Sequence, residues 1–292
     1  MDVTWIERLD LFRWAILSAL VAGLVCPLVG ALLLVRRTSF YGITLPQFAT
    51  AGVVFGFVLI PWWTATIGLG DLSAETALSD SHAAKNYHLA WAAVFTFGGL
   101  AALAMTGRRA GNEIGRVAAA FAIANAATYL FGRMSPIGKS MVDELLAGEI
   151  LGIQVHGFET LAVPLALILL AIVHFHRDLL LVSYDRESAI VLGKHVLGFE
   201  IILMAITGLA VATGTMILGP TLLFGLLVLP PLVARRWSAS MASFLVLSSL
   251  SGLVAVVLGI AASFELDLPL GAAIVGVAAL ELLPGLLVRP RA

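Results

Sequence analysis

Residues 15–35 read AILSALVAGLVCPLVGALLLV, an unbroken run with no charged side chain. A helix needs about 20 mainly apolar residues to cross a bilayer. A barrel strand would alternate apolar and polar positions over about ten residues, and this run does not. A helix, which pairs every backbone group within itself, is therefore the reading that lipid permits. The run stops at Arg36 and Arg37 rather than at a small-residue cleavage site, and it is about twice as long as the apolar core of a secretory leader. It reads as a retained span.

The rest of the chain extends the same pattern. Of 292 residues, 60% are hydrophobic and 12% charged, against about 25% charged in a typical soluble domain. So little charge leaves too little polar surface for a water-facing globule of this size. Further apolar stretches predict spans over roughly 12–35, 45–63, 88–106, 117–131, 158–175, 196–217, 219–234, 241–263 and 269–288. The fourth and seventh are short and fit helices that tilt little or break near the midplane. The tight junction Ile217-Leu218-Gly219-Pro220 predicts a hairpin. The expected architecture is all-α, a polytopic transmembrane bundle of about eight or nine spans. It forms one domain, 1–292, in the inner (plasma) membrane with the lipid bilayer as its surround.

Lys and Arg placement orients it. With the N-terminus outside, 12 of the 17 basic residues fall inside, among them Arg36, Arg37, Arg116, Arg186, Lys194, Arg235 and Arg236. Only Arg8, Arg13, Lys85, Arg133 and Lys139 fall outside. Cytoplasmic loops carry such an excess. The formal net charge of −1 gives no footing for nucleic acid.

Enzyme chemistry finds little support. None of the six histidines stands in an HExxH pair, and neither a G-x-S-x-G turn nor a phosphate-binding Walker loop occurs. If energy is used, a partner must supply it. Cys26 is the only cysteine, so there is no intrachain disulfide and no thiolate zinc site. Intramembrane carboxylates are costly to bury. Glu200, about one turn into the sixth span, and Glu281, past the middle of the last, either line a path or are protonated or paired structural groups. His156 and Glu159, at i and i+3 in an outer loop or helix mouth, either meet a cation or decorate an interface. His174 and His176 close the fifth span and point to different helix faces, a poor chelate.

The inner segment LLLVSYDRESAIVLGKHVLG, 179–198, is the most informative. Asp185, Ala189 and Gly193 recur at i, i+4 and i+8, hence on one face of a short helix. Asp185 suits the N-cap, with Glu187 in the first turn and Lys194 and His195 at the end. That face is small enough for close approach by another protein, and a short exposed helix suits a groove on a partner. A solvated loop helix is the alternative.

Five segments in order resemble the permease family of ATP-binding-cassette metal importers, the zinc, manganese and iron group. They are RRTSFYGITLPQ (36–47), NEIGRVAAAFAIANAATYLFG (112–132), DELLAGEILGIQVHGFE (143–159), LLLVSYDRESAIVLGKHV (179–196) and LGPTLLFGLLVLPPLVARRW (218–237). The fourth matches the family's S-[FY]-D-x-x-x-A-x-x-x-G coupling segment through Ser183, Asp185, Ala189 and Gly193. The fifth matches its L-P-x-x-x-A-R helix through Leu229, Pro230, Ala234 and Arg235. The resemblance implies a permease homodimer with ATPase subunits docked at the coupling segment, about 182–195, and a metal-binding protein docked outside. ATP would be used by the partner and no cofactor held by this chain. The transported ion, zinc first and then manganese or iron, is substrate.

One departure stands out. The family carries an Asp and a His four residues apart at the start of span two, a carboxylate and imidazole pair suited to zinc or manganese. The corresponding residues here are Ile43 and Gln47. Isoleucine offers no ligand and glutamine one neutral oxygen. Three readings follow: ligands elsewhere along the path, with Glu149, His156 and Glu200 the candidates beside Gln47; a cargo other than a bare divalent cation; or ligands on the partner of a heterodimer. A membrane scaffold that no longer transports is the remaining alternative.

Overall fold

The structure, a computed structural model, describes residues 10–66, 82–107, 113–134 and 153–287. Its helices, in chain order, are α1 (Arg13–Val35), α2 (Tyr41–Thr66), α3 (His82–Gly107), α4 (Glu113–Met134), α5 (Val155–Tyr184), α6 (Arg186–Val191), α7 (Val196–Leu218), α8 (Pro220–Trp237), α9 (Met241–Leu266), α10 (Leu270–Leu280) and α11 (Leu282–Leu287). No strand occurs among the described residues.

Helices in lipid gain little from hydrophobic exclusion, so they associate by close packing and interhelical hydrogen bonds, with small residues at the crossings. The inner layer is built that way. A β-carbon on Gly30 of α1 would lie 1.8 Å from the Leu227 carbonyl oxygen of α8, so the two backbones touch there. On another face of α1, Ser249 Oγ of α9 donates to the Leu24 carbonyl at 2.7 Å. α2 leans against α3 and α4. Thr44 Oγ1 donates to the Val117 carbonyl of α4 at 3.3 Å, and Tyr87 Oη of α3 to the Gly56 carbonyl of α2 at 2.9 Å. Phe55 fills the seam, its ring centre 5.2 Å from Trp91, 5.3 Å from Phe95 and 5.0 Å from Phe131. α1, α2 and α7 are mostly buried, whereas α3, α4 and α5 turn Val94, Ile123, Leu130, Leu167 and Leu170 outward, as a lipid-facing surface requires.

Each predicted span has its helix. Seven of them, α1 to α5, α7 and α9, are long and apolar enough to cross a membrane. The differences are local. The fourth span is not short: α4 runs 22 residues because Glu113 and Arg116 lie inside its first turn rather than before it. The fifth does not end at residue 175, since α5 continues for 30 residues through the two histidines to Tyr184. The seventh is α8, an 18-residue helix separated from α7 by Gly219 alone. The interruption falls instead in the ninth, where α10 stops at Leu280 and α11 resumes at Leu282. Pro284 explains the place: it has no N–H for the carbonyl of Leu280, and its ring crowds that carbonyl. Glu281 stands at the break, where Ser251 Oγ of α9 donates to its Oε2.

Candidate coupling and pathway sites

The chain reverses at Asp185, which ends α5 and begins α6. Its extended backbone (φ −142°, ψ 94°) frees the side chain to accept from the Ser188 amide at 3.0 Å, and from the Ser188 hydroxyl as well. These bonds, the hydroxyl's first, favour the ionised form and hold the Asp185 carboxyl below the usual carboxylate range. The far end closes equally tightly. Gly193 adopts φ +70°, its amide donates to the Ile190 carbonyl and that of Lys194 to Ala189, both at 3.0 Å. This is the Schellman arrangement, and the left-handed residue it needs is supplied by glycine.

The helix so capped has only six residues, which changes the expected docking face. Gly193 lies beyond the helix. Ala189 is fully covered by its own chain, packed with Val182 and Val196. Ser183 is buried too, its Oγ meeting no partner among the described residues. Asp185, Ala189 and Gly193 therefore do not form one outward face, because the apolar side chains flanking α6 draw Ala189 inward. What points outward is apolar: Val191 is 86% exposed, with Ile190, Leu192 and Tyr184 also exposed. The run Ile-Val-Leu in a supposed solvated loop was the signal for this surface.

Ion pairs fix the segment to the bundle. Lys194 Nζ sits 2.7 Å from Asp178 Oδ1 of α5. Glu200 of α7 receives Arg186 Nε at 3.1 Å and Arg36 Nη2 at 3.6 Å. Glu200 is thus paired, its carboxylate met by two guanidiniums. In α8, Pro230 and Ala234 are buried, and Arg235 lines, with Arg37 and Tyr184, a cavity of about 690 Å3 beside α6.

Ile43 and Gln47 lie one turn apart on α2, both half-buried. The Gln47 Oε1 is buried without a hydrogen-bond partner among the described residues. His156 Nδ1 lies 3.5 Å from Glu159 Oε2 at the start of α5, both side chains well exposed. Glu149 falls outside the described residues. Among those described, no group of three or more His, Cys, Asp or Glu side chains converges. The structure does not bring Gln47, His156 and Glu200 together: they lie on different helices, at opposite ends of the bundle for the last two.

Residues 8–289 match the ABC 3 transport family. The chain is 27% identical over 281 residues to the manganese import system permease protein ScaB of Streptococcus gordonii, covering 95% of this chain and 91% of that one. It is 24% identical over 269 residues to the chelated iron transport system membrane protein YfeD of Yersinia pestis, covering 91% and 81%. Among solved structures it resembles PsaBC of Streptococcus pneumoniae in complex with Fab, with a TM-score of 0.76 at 23% identity over 99% of this chain and 97% of that one. It also resembles a metal-chelate type ABC transporter in an inward-facing conformation, with a TM-score of 0.69 at 19% identity over 98% and 89%.

Proposed function

Because this chain belongs to the ABC 3 transport family, we propose that it is the permease subunit of an importer moving a divalent transition metal across the plasma membrane. ATP hydrolysis belongs to a separate subunit in this reading. The observation that carries it is the clamped α6 segment: a capped, ion-paired helix that holds Ile190, Val191 and Leu192 outward has the form of a knob for a partner's groove. Movement of that partner would reach α5 through Asp178 and Lys194, and α1 and α7 through Glu200. Two copies of the chain would enclose the route, with a metal-binding protein delivering cargo at the opposite end. The curated relatives named above are manganese and iron permeases, so their names favour those metals over zinc, which the sequence ranked first.

Gln47 supports a second reading. Its uncharged oxygen, with Ile43 a turn away, cannot neutralise a 2+ ion, so an altered, non-metal cargo suits the same permease. Uptake of labelled manganese, iron and zinc by cells lacking the protein, with and without restored expression, separates the two. A deficit in one metal, restored with the protein, supports metal import. Unchanged content of all three sinks it and leaves the altered cargo.

A further inference from the structure

At the end of the bundle that carries α6, a cavity of about 470 Å3 opens between α1, α2, α3, α4, α6 and α7. Its lining divides by chemistry. It is lined by apolar Leu100, Leu103, Leu203 and Met204 and by Arg36, Arg116 and Arg186, with Glu200 as the one carboxylate among the described lining residues. Among the described lining residues, three arginines and one glutamate leave a formal surplus of two positive charges. Arg36 and Arg186 share Glu200. Arg116 does not: its Nε and Nη1 are buried and meet no acceptor among the described residues. Burying a guanidinium without acceptors is unfavourable, and a fork of N–H donors is shaped for a carboxylate or a phosphate.

We propose that this cavity binds a phosphate group, held by Arg116 with Arg36 and Arg186. Two sources supply that chemistry, the headgroup of an anionic phospholipid and a soluble phosphate. The lining favours the lipid. Leu197, which also lines the cavity, is 66% exposed, so apolar lining continues onto the surface of the bundle, where an acyl chain could lie. Basic pockets between membrane helices at the cytoplasmic side bind acidic headgroups. The site is distinct from the Gln47 face. Tyr41 lines the cavity, and at about 100° per residue Ile43 and Gln47 are turned about 200° and 240° away from it. Since Arg186 opens α6 and Arg36 ends α1, an occupant here braces the coupling segment against the bundle.

The test uses the purified full-length permease. Native mass spectrometry in an equimolar mixture of phosphatidylglycerol and phosphatidylcholine reads lipid preference, and thermal unfolding with inorganic phosphate against chloride at equal ionic strength reads the soluble source. Wild type should retain phosphatidylglycerol about five-fold over phosphatidylcholine, the factor for one arginine near a charged headgroup. Arg116→Gln should bring the two lipids to parity, and Arg116→Lys should keep most of the preference. Ala104→Leu, which fills the cavity from its wall and spares every arginine, should also abolish it, so an unstable Arg116→Gln protein does not decide the matter. A phosphate-dependent rise in melting temperature lost in these variants, without lipid preference, supports a soluble phosphate instead. Neither effect in wild type, or either one unchanged in both Arg116→Gln and Ala104→Leu, overturns the site.

Discussion

Single residues set three properties that can be tested separately. Gly193 holds φ +70° with nothing near where a β-carbon would stand, so backbone conformation, not space, restricts it. A side chain in the left-handed region costs about 1–2 kcal/mol, least for asparagine. We therefore expect Gly193→Val to weaken transport-coupled ATPase activity in reconstituted vesicles several-fold and Gly193→Asn to keep it; equal activity of the two would mean the turn is not needed. At the other cap, Asp185 is held ionised by Ser188. A carboxyl whose folded pKa is lowered contributes stability above its unfolded pKa and loses it as pH falls through the folded one. Its cap is thus intact at neutral pH and lost only in acid, below the ordinary aspartate value of 3.8. Hydrogen exchange at the Ser188 amide, followed from pH 7 downward, should lose its protection relative to the intrinsic rate only in that acid range, and Ser188→Ala should move the onset toward neutral. Gln47 is the third case. Ile43→Asp with Gln47→His places two metal ligands on adjacent turns of one face. Calorimetry should show zinc binding at least about ten-fold tighter than in wild type, worth about 1.4 kcal/mol. Equal affinity would mean that the two positions do not face a common space.

At the scale of an element, α6 is too short to be stable alone, since isolated helices below about 12 residues are marginal in water. It persists because both ends are capped, Ala189 is buried, and Glu200 and Lys194 anchor its flanks. Its outward side is consequently free to be apolar. Val191→Asp puts a charge in the most exposed part of that side without touching a cap or a packed residue. It should leave membrane insertion and yield unchanged while the ATPase subunit no longer copurifies; copurification at the wild-type level would move the docking surface away from α6. Glu200→Gln tests the anchor from beneath. It frees Arg36 and Arg186 together, so coupled activity should fall although Val191 and its neighbours are intact.

Across the whole molecule, the basic residues decide sidedness. The 12-to-5 division predicts α6 on the cytoplasmic side. Glu187 is exposed and Cys26, the sole cysteine, is fully buried, so Glu187→Cys gives one accessible thiol on an otherwise native background. An impermeant maleimide should label it in inverted vesicles and not in intact cells; labelling of intact cells would reverse the topology. The nine helical regions were legible from the sequence because a bilayer imposes a length and a composition on anything that crosses it, and both are properties of consecutive residues. The caps of α6 were legible for a similar reason: Asp185 and Gly193 act on backbone groups within a few positions of themselves. The break at Glu281 was not inferred, although Pro284 signalled it. Only tertiary structure decided which way Ala189 faces, because its environment comes from Val182 and Val196 on flanking helices and not from its own turn. Tertiary structure alone also shows which charges Glu200 meets. A carboxylate one turn into an apolar span reads the same whether it lines a path or meets a cation. The meeting with Arg36, more than 160 positions away, depends on how α1 packs beside α7. Charge neutralisation is a property of distance in space, and distance along the chain does not carry it.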